Sequence, residues 1–176
     1  MNESSIAGLK FFNLKSFSDD RGNLLPINLE ALKSNIGSSV FSQINIATSS
    51  QGVIRGMHWQ NAPFEQGKLI KVLSGKILDI AIDIRLDSLT FGRYFSIELD
   101  EYEETAFWIP AGFAHGFQTL SLRSTVMYLV DAPFSLEASD GINPLDKELS
   151  LPWEKTNGLL ISEKDQAAES FSKKFP

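Results

Sequence analysis

The chain has 176 residues, 43% of them hydrophobic, a size and composition that predict one domain, residues 1–176, with a sizeable core. Sixteen basic and 22 acidic residues give a net charge of −6, which argues against broad binding to nucleic acid or to anionic membranes. The absence of cysteine excludes disulfides, a thiol nucleophile and Cys-ligated zinc. We find no signal segment and no apolar run of membrane-span length, so we expect a cytoplasmic protein.

In chain order, the first predicted element is a short helix at Glu30-Ala31-Leu32-Lys33. Short strands separated by turn signals follow from Ser39 to Val130. Residues 68–73 form one of these strands, and Ser74-Gly75 is predicted to turn the chain into the next one.

The segment from Lys76 to Arg85 alternates strictly between two kinds of side chain. One face is apolar, and the other carries Ile77, Asp79, Ala81, Asp83 and Arg85. This pattern predicts a strand with one face on a hydrophobic core and the other facing solvent or lining a polar cavity. Both carboxylates could serve structure, paired with Lys68, Arg85 or a neighbour.

Further strand candidates rich in Phe, Trp, Ile and Val lie at Arg93 to Leu99, Thr105 to Ile109, Phe113 to Leu120 and Thr125 to Val130. A turn-rich connection follows from Asp131 to Leu151, and a second short helix after Ser162, a predicted N-cap. Strand spacing of roughly ten residues favours an antiparallel barrel over a βαβ fold. We therefore predict an all-β jelly roll with a few short peripheral helices.

The chain has only two histidines, His58 in Arg-Gly-Met-His-Trp-Gln and His115 in Ile-Pro-Ala-Gly-Phe-Ala-His-Gly-Phe. A lone histidine on an apolar strand is more often a core residue, but it is also the usual proton carrier near neutral pH and a common metal ligand. The segment from Pro110 through Gly112 to His115 resembles the second histidine motif of the cupin superfamily. Because no third close ligand accompanies the two histidines, we expect no resident metal.

The chain resembles the dTDP-4-dehydrorhamnose 3,5-epimerase family in the content, order and approximate spacing of its motifs. The matching segments are Asp19-Asp20-Arg21-Gly22, Gln43-Ile44-Asn45, Arg55 to Gln60, Gln66 to Leu69, Asp79 to Arg85, Thr90 to Gly92, Ile109 to Phe117 and Leu160 to Asp165. The resemblance covers nearly the whole chain and implies a cupin-like antiparallel jelly-roll barrel.

The resemblance also implies a cofactor-independent enzyme that inverts C3, C5 or both in a nucleotide-linked 4-keto-6-deoxyhexose, with dTDP the expected nucleotide. Such a reaction needs a base, a group that stabilises the enolate oxygen, and an acid on the opposite face. By the resemblance His58 is the base, Asp165 its carboxylate partner and Tyr128 the general acid. Lys68 and His115 are expected to face the keto oxygen and its surroundings.

A nucleoside diphosphate carries negative charge that arginine and lysine can bind. Arg55 and Arg21 are the matching candidates, and Arg21 is expected to reach across from a second subunit. By the resemblance, Lys164 is a further expected substrate-binding residue. Gln43 and Asn45 alternate on a strand, so both should meet the substrate from one face. Arg21 could instead be an ordinary turn residue.

The proposed proton-transfer residues each have a structural interpretation as well. Lys68 could be a solvated strand lysine and Tyr128 a core aromatic residue with its hydroxyl satisfied. Asp165 could simply cap a short helix. Their joint occurrence at positions that match one family favours catalysis.

The sequence departs from the family pattern around the expected nucleotide pocket. Leu24 stands in a region where family members carry aromatic residues, and Phe134 follows Pro133 where they carry a tyrosine pair. The acidic residue typical of the following connection is shifted to Glu137 or Asp140. We therefore expect the proton-transfer residues to be retained and the recognition of the nucleotide's base to be altered.

Three alternatives stay open on the sequence alone. They are a sugar-nucleotide 3,4-ketoisomerase that uses the same enolate chemistry, a non-catalytic nucleotide-sugar-binding barrel, and a metal-dependent cupin. We also expect a homodimer, since pairing with a second subunit hides edge strands and two-fold dimers are the commonest oligomers.

Overall fold

A computed structural model of the chain describes residues 2–3, 6–37, 41–155 and 158–176. Its strands are β1 (Asn2–Glu3), β2 (Lys10–Asn13), β3 (Phe17–Asp19), β4 (Gly22–Leu24), β5 (Gln43–Ser50), β6 (Ile54–Gln60), β7 (Lys68–Ser74), β8 (Lys76–Asp83), β9 (Tyr94–Asp100), β10 (Thr105–Ile109), β11 (Phe113–Thr119), β12 (Arg123–Val130) and β13 (Ser139–Gly141). Its helices are α1 (Leu29–Ile36), α2 (Glu163–Gln166) and α3 (Phe171–Lys174).

The strands form two main antiparallel sheets, which confirms the predicted all-β jelly-roll barrel with a few short helices. One sheet has the order β1-β2-β10-β7-β12-β5 and the other the order β13-β6-β11-β8-β9. Strands β3 and β4 pair only with each other in a separate hairpin. The predicted strand-rich region starts at Ser39, which lies, like Val40, outside the described residues.

The main core lies between the two sheets and takes side chains from both. Its buried members include Ile70, Val72, Phe107 and Val126 from the larger sheet and Ile77, Ala81, Phe113 and Phe117 from the smaller one. Because side chains alternate along a strand, any residue two positions from one of these also faces the barrel interior. This rule places several of the predicted site residues.

The polar face of β8 points into the barrel and not to solvent. Asp79 and Asp83 share that face with Ile77 and Ala81 and are fully buried. The opposite face of β8 is covered by the C-terminal part of the chain, including Trp153, Phe171 and Phe175. Both faces of this strand are therefore buried.

The sequence prediction did not place strands β1 to β4 or helix α3, and it is wrong in detail at three further places. Strand β8 ends at Asp83 and not at Arg85, because the Asp83 carboxylate accepts a hydrogen bond from the Arg85 backbone N–H at 3.1 Å and turns the chain. The connection from Asp131 to Leu151 contains the short strand β13, which pairs with β6. Helix α1 is longer than predicted, with Asn28 as its N-cap.

Strands β9 to β12 are confirmed to within two residues at each end, as is the turn at Ser74-Gly75. Ser162 is confirmed as an N-cap, since its side chain accepts a hydrogen bond from the Asp165 backbone N–H at 3.1 Å. Among the described helices, none is long and apolar enough to cross a membrane.

Candidate active site

A β-bulge in β6 brings Arg55 and His58 to the same face. Residues three apart on a regular strand point to opposite faces. Here His58 pairs with His115 and Arg55 with Phe117, so four residues of β6 stand opposite three of β11. Since Phe117 faces the core between the sheets, both Arg55 and His58 are directed toward the barrel interior.

Two glycines make this bulge possible. Gly56 has φ +126°, and a Cβ on it would lie 2.5 Å from the Gly116 Cα. A Cβ on Gly116 would lie 2.8 Å from the Arg55 carbonyl oxygen and 2.6 Å from the Met57 Sδ. The two backbones therefore approach more closely than any side chain allows.

His58 and Asp165 form a hydrogen-bonded pair. The His58 Nε2 lies 2.7 Å from the Asp165 Oδ1, and Asp165 is buried on α2. Burial raises the pKa of Asp165, but hydrogen bonds from His58, Ser162 and the Gly56 backbone outweigh it and hold the pKa below its ordinary value. An ionised carboxylate can only accept, so Nε2 donates and Nδ1 keeps a free lone pair. That nitrogen is available as a base.

Lys68 begins β7 on the face that also carries Ile70 and Val72, so it points into the barrel. Its Nζ donates to the His58 carbonyl oxygen at 3.1 Å. Burial lowers the pKa of Lys68 to about 8, and the charge of Asp79 partly opposes this shift. The structure thus brings a poorly solvated cation next to His58.

His115 forms a second, more deeply buried pair with Asp79. The His115 Nε2 lies 2.9 and 3.1 Å from the two Asp79 oxygens, and the residues are 7% and 0% exposed. His115 stands directly across from His58 in the β6–β11 register. Asp79 begins one of the segments that match the family, but the sequence analysis assigned it at most a structural pairing and did not predict its contact with His115.

Tyr128 lies on β12 between Asn45 of β5 and Ile70 of β7 in register, on the face toward the core. Burial raises the pKa of Tyr128, and the positive charge of Arg55 partly offsets this. Asn45 accepts a hydrogen bond from the Gln43 Nε2 at 2.6 Å. On the larger sheet, Gln43, Asn45 and Tyr128 therefore lie close together on the face toward the barrel interior.

Arg55 spans the two sheets. Its Nε donates to the buried Ser49 Oγ at 2.9 Å, and its Nη2 donates to the Thr48 carbonyl oxygen at 3.3 Å, both on β5. Arg55, His58, Lys164 and Asp165 also line an open pocket of about 430 Å³. Two cationic side chains thus border the space beside the His58–Asp165 pair.

Arg21 is not brought to this pocket within the chain. It sits in the turn of the β3–β4 hairpin, its side chain is 90% exposed, and its Nη2 lies 2.5 Å from the Asp19 Oδ2. All six residues of the two hairpin strands are exposed. A role for Arg21 in a second subunit's site stays a prediction.

The acidic and histidine side chains of the described residues are not grouped as metal ligands. Among these residues, no cluster of three or more His, Cys, Asp or Glu side chains is placed to hold a metal ion. Each histidine faces a carboxylate of its own, and this arrangement suits proton transfer.

Comparison with known proteins identifies the family of the chain. The sequence model of the family described as dTDP-4-dehydrorhamnose 3,5-epimerase matches residues 3–173. The chain belongs to this family. A protein of that name from Sinorhizobium fredii is 37% identical over 168 residues, which are 94% of this chain and 86% of the relative. The resemblance to this family of isomerases is thereby confirmed.

Two solved structures of epimerases show the same fold. RmlC of Legionella pneumophila, in complex with dTDP-4-keto-L-rhamnose, is 36% identical with a TM-score of 0.90, over 95% of this chain and 89% of that chain. ChmJ of Streptomyces bikiniensis, a 3'-monoepimerase in complex with dTDP-quinovose, is 29% identical with a TM-score of 0.92, over 98% and 88% of the two chains. The family fold therefore accommodates epimerases that differ in the positions they invert.

Proposed function

We propose that this protein is a cofactor-independent epimerase that inverts C3, C5 or both in a dTDP-linked 4-keto-6-deoxyhexose. The observation that carries the proposal is the His58–Asp165 pair, 2.7 Å apart and beside the Lys68 ammonium, in a member of this family. Relatives in complex with dTDP sugars support the choice of substrate class.

The proposed reaction begins when the His58 Nδ1 removes the proton on the carbon next to the ketone. The electrons of the C–H bond form a C=C bond, and the carbonyl oxygen becomes an enolate oxygen. Asp165 stabilises the imidazolium because it accepts from Nε2. Negative charge develops on the carbonyl oxygen as the enolate forms, and Lys68 and His115 stabilise that charge.

Inversion requires that the proton return to the other face of the sugar. Tyr128 lies on the larger sheet, across the barrel interior from β6, and donates its phenolic proton to the enolate carbon as the carbonyl reforms. Exchange with water then returns the Tyr128 phenolate and the His58 imidazolium to their starting states. Epimerisation conserves all atoms of the substrate and consumes no oxidant.

The diphosphate of the substrate is proposed to bind Arg55 and Lys164, with Gln43 and Asn45 on the facing sheet contacting the nucleotide sugar. The exposed β3–β4 hairpin supports the further proposal of a homodimer in which Arg21 serves the second subunit's site. Strand β5 is an edge of the larger sheet, and its Ile44 and Ile46 are 60% and 65% exposed. In the proposed dimer the second subunit would also cover this apolar edge.

The test is deuterium uptake from D₂O at C3 and C5 of dTDP-4-keto-6-deoxyglucose, followed by NMR. We expect uptake at one or both carbons, abolished in His58→Ala and retained without inversion in Tyr128→Phe. Equal uptake in His58→Ala and wild type would show that His58 is not the base. Product NMR also separates epimerisation from ketone relocation, which would indicate a 3,4-ketoisomerase, and tight binding without uptake would indicate a binding protein.

A further inference from the structure

We propose that the ion pair between Asp140 and Lys174 positions Asp165 against His58. The inference rests on the proposed function of His58 as the base. Asp140 and Lys174 do not contact the substrate in this proposal, because they act through the elements that carry the His58–Asp165 pair.

Strand β13 lies directly beside the base. Asp140 pairs in register with Trp59, and Gly141 pairs with His58. A Cβ on Gly141 would lie 3.1 Å from the His58 Cδ2 and 2.7 Å from the Met57 carbonyl oxygen. The backbone of β13 therefore contacts the edge of the His58 ring that is next to Nε2.

The same short strand holds the chain that follows Asp165. The Lys174 Nζ lies 2.7 Å from the Asp140 Oδ1, and the two side chains are 25% and 24% exposed. The ammonium also stands 5.9 Å from the centre of the Trp59 ring, and Asn61 donates to the second Asp140 oxygen at 3.2 Å. A pair this well enclosed by neighbours holds its geometry better than a mobile surface ion pair.

Asp165 depends on such ties because α2 is a single turn. Four residues are too few for a helix to be stable alone. A pocket of about 300 Å³ lies beside it, lined in part by His58, Gly141, Glu169 and Lys174. Hydrogen bonds and an ion pair connect the β13 side of this pocket with the C-terminal segment on its other side. The Asp140–Lys174 ion pair is one of these connections.

One further tie comes from Asn143, just after β13. Its Nδ2 donates to the Gln166 carbonyl oxygen at 2.8 Å, and its backbone N–H donates to the Glu169 carbonyl oxygen at 2.9 Å. These bonds hold the residues immediately after Asp165, whereas the Lys174–Asp140 pair holds the C-terminal segment at α3. The pair therefore adds a second anchor, on α3, to the C-terminal segment that carries Asp165 on α2.

Charged groups approach His58 from several elements. Asp165 faces it from α2, Lys68 from β7 and Lys164 from the pocket edge. Asp140, Glu169 and Lys174 line the adjoining pocket. The Asp165 carboxylate accepts from Nε2 and so holds the neutral His58 ring in one tautomer, and displacement of Asp165 would release that preference.

The experiment compares Lys174→Met and Asp140→Asn with Lys173→Met as a matched control. Lys173 is on the same helix, but its side chain is 70% exposed and its ion pair, to Glu169 at 2.8 Å, stays within the C-terminal segment. The chain has only two histidines, so ¹⁵N–¹H NMR of the imidazoles resolves His58, with His115 as an internal reference. Asp140→Asn preserves size if the lysine variant fails to fold.

We expect the ¹⁵N shifts of the His58 ring to change from those of a single neutral tautomer to those of a mixture in both variants, while His115 and the Lys173→Met protein stay unchanged. In the uptake assay kcat should fall roughly tenfold with little change in KM, and Lys174→Arg should restore it, since the charge is kept. His58 ¹⁵N shifts in the folded variants that overlay those of wild type would overturn the inference. The NMR result does not depend on turnover, so a failure of the proposed function would be seen separately.

Discussion

Replacement of Gly116 by alanine is expected to separate β6 from β11 and to displace Arg55 and His58 together. The new Cβ would lie 2.8 Å from the Arg55 carbonyl oxygen, where ordinary contacts begin at 3.4 Å, so the backbone of β6 has to move by about 0.6 Å. The Met57 side chain cannot swing out of the way easily, because it is fully buried.

The cost of this shift follows from two general effects. Overpacking of a buried site destabilises a protein by about 1–3 kcal/mol, which urea unfolding would measure. A misplacement near 1 Å in a catalytic site costs about 10²-fold in rate, so a shift of roughly 0.6 Å should lower kcat by roughly 10- to 100-fold. The deuterium-uptake assay would measure this loss at saturating substrate.

Gly37→Ala provides the control for stability alone. Gly37 ends α1 with φ +74° and has no atom within 4 Å of an added Cβ, so alanine there is strained by about 1–2 kcal/mol without steric displacement. We expect this variant to be less stable but fully active. Wild-type kcat in a destabilised Gly116→Ala protein would refute the view that the bulge fixes the catalytic geometry.

Three further outcomes are expected. Asp165→Asn places an amide donor against Nε2 and moves the ring proton to Nδ1, so kcat should fall by roughly 10³- to 10⁴-fold; a wild-type rate would contradict the assigned base. Burial lowers the pKa of Lys68 to about 8, so the wild-type rate should fall as pH rises through that value; in Lys68→Arg this descending limb should vanish, and its persistence would assign it to another group. Burial raises the pKa of Asp83, but hydrogen bonds chiefly from Arg85 outweigh it and hold the pKa well below the ordinary 3.8. The stabilisation is therefore present above that value and lost below it, so urea unfolding should show Asp83→Asn about 2 kcal/mol less stable at pH 7, with a smaller difference at pH 3.

The strands with strong alternation were predictable because their hydrophobic pattern alone decides which face is buried. Strand β8 is the clearest case, and only its last two predicted residues are wrong. Strand β13 could not be found in this way, because three residues of Ser-Asp-Gly carry no alternation and pair only through the edge of β6. Its formation depends on tertiary contacts.

The candidate site was predictable as a set of residues but not as a geometry. The family motifs name His58 and Asp165, and the structure brings them together across 107 positions of the chain. The bulge that turns Arg55 to the same face as His58 depends on close backbone approach, which the residue pattern does not encode. The pairing of His115 with Asp79 likewise depends on the neighbouring strand.

The C-terminal covering of β8 links complete folding to activity. Both sheets are formed by residues up to Gly141, whereas Asp165 comes later, in the same stretch as the aromatic residues that cover the outer face of Leu78, Ile80 and Ile82. During synthesis the barrel strands emerge first and the carboxylate arrives last. In a nascent or partly unfolded molecule that leaves this apolar face uncovered, Asp165 is also not yet in place beside His58, the proposed base. Exposure of the aggregation-prone surface and loss of the proposed catalytic pair therefore occur together.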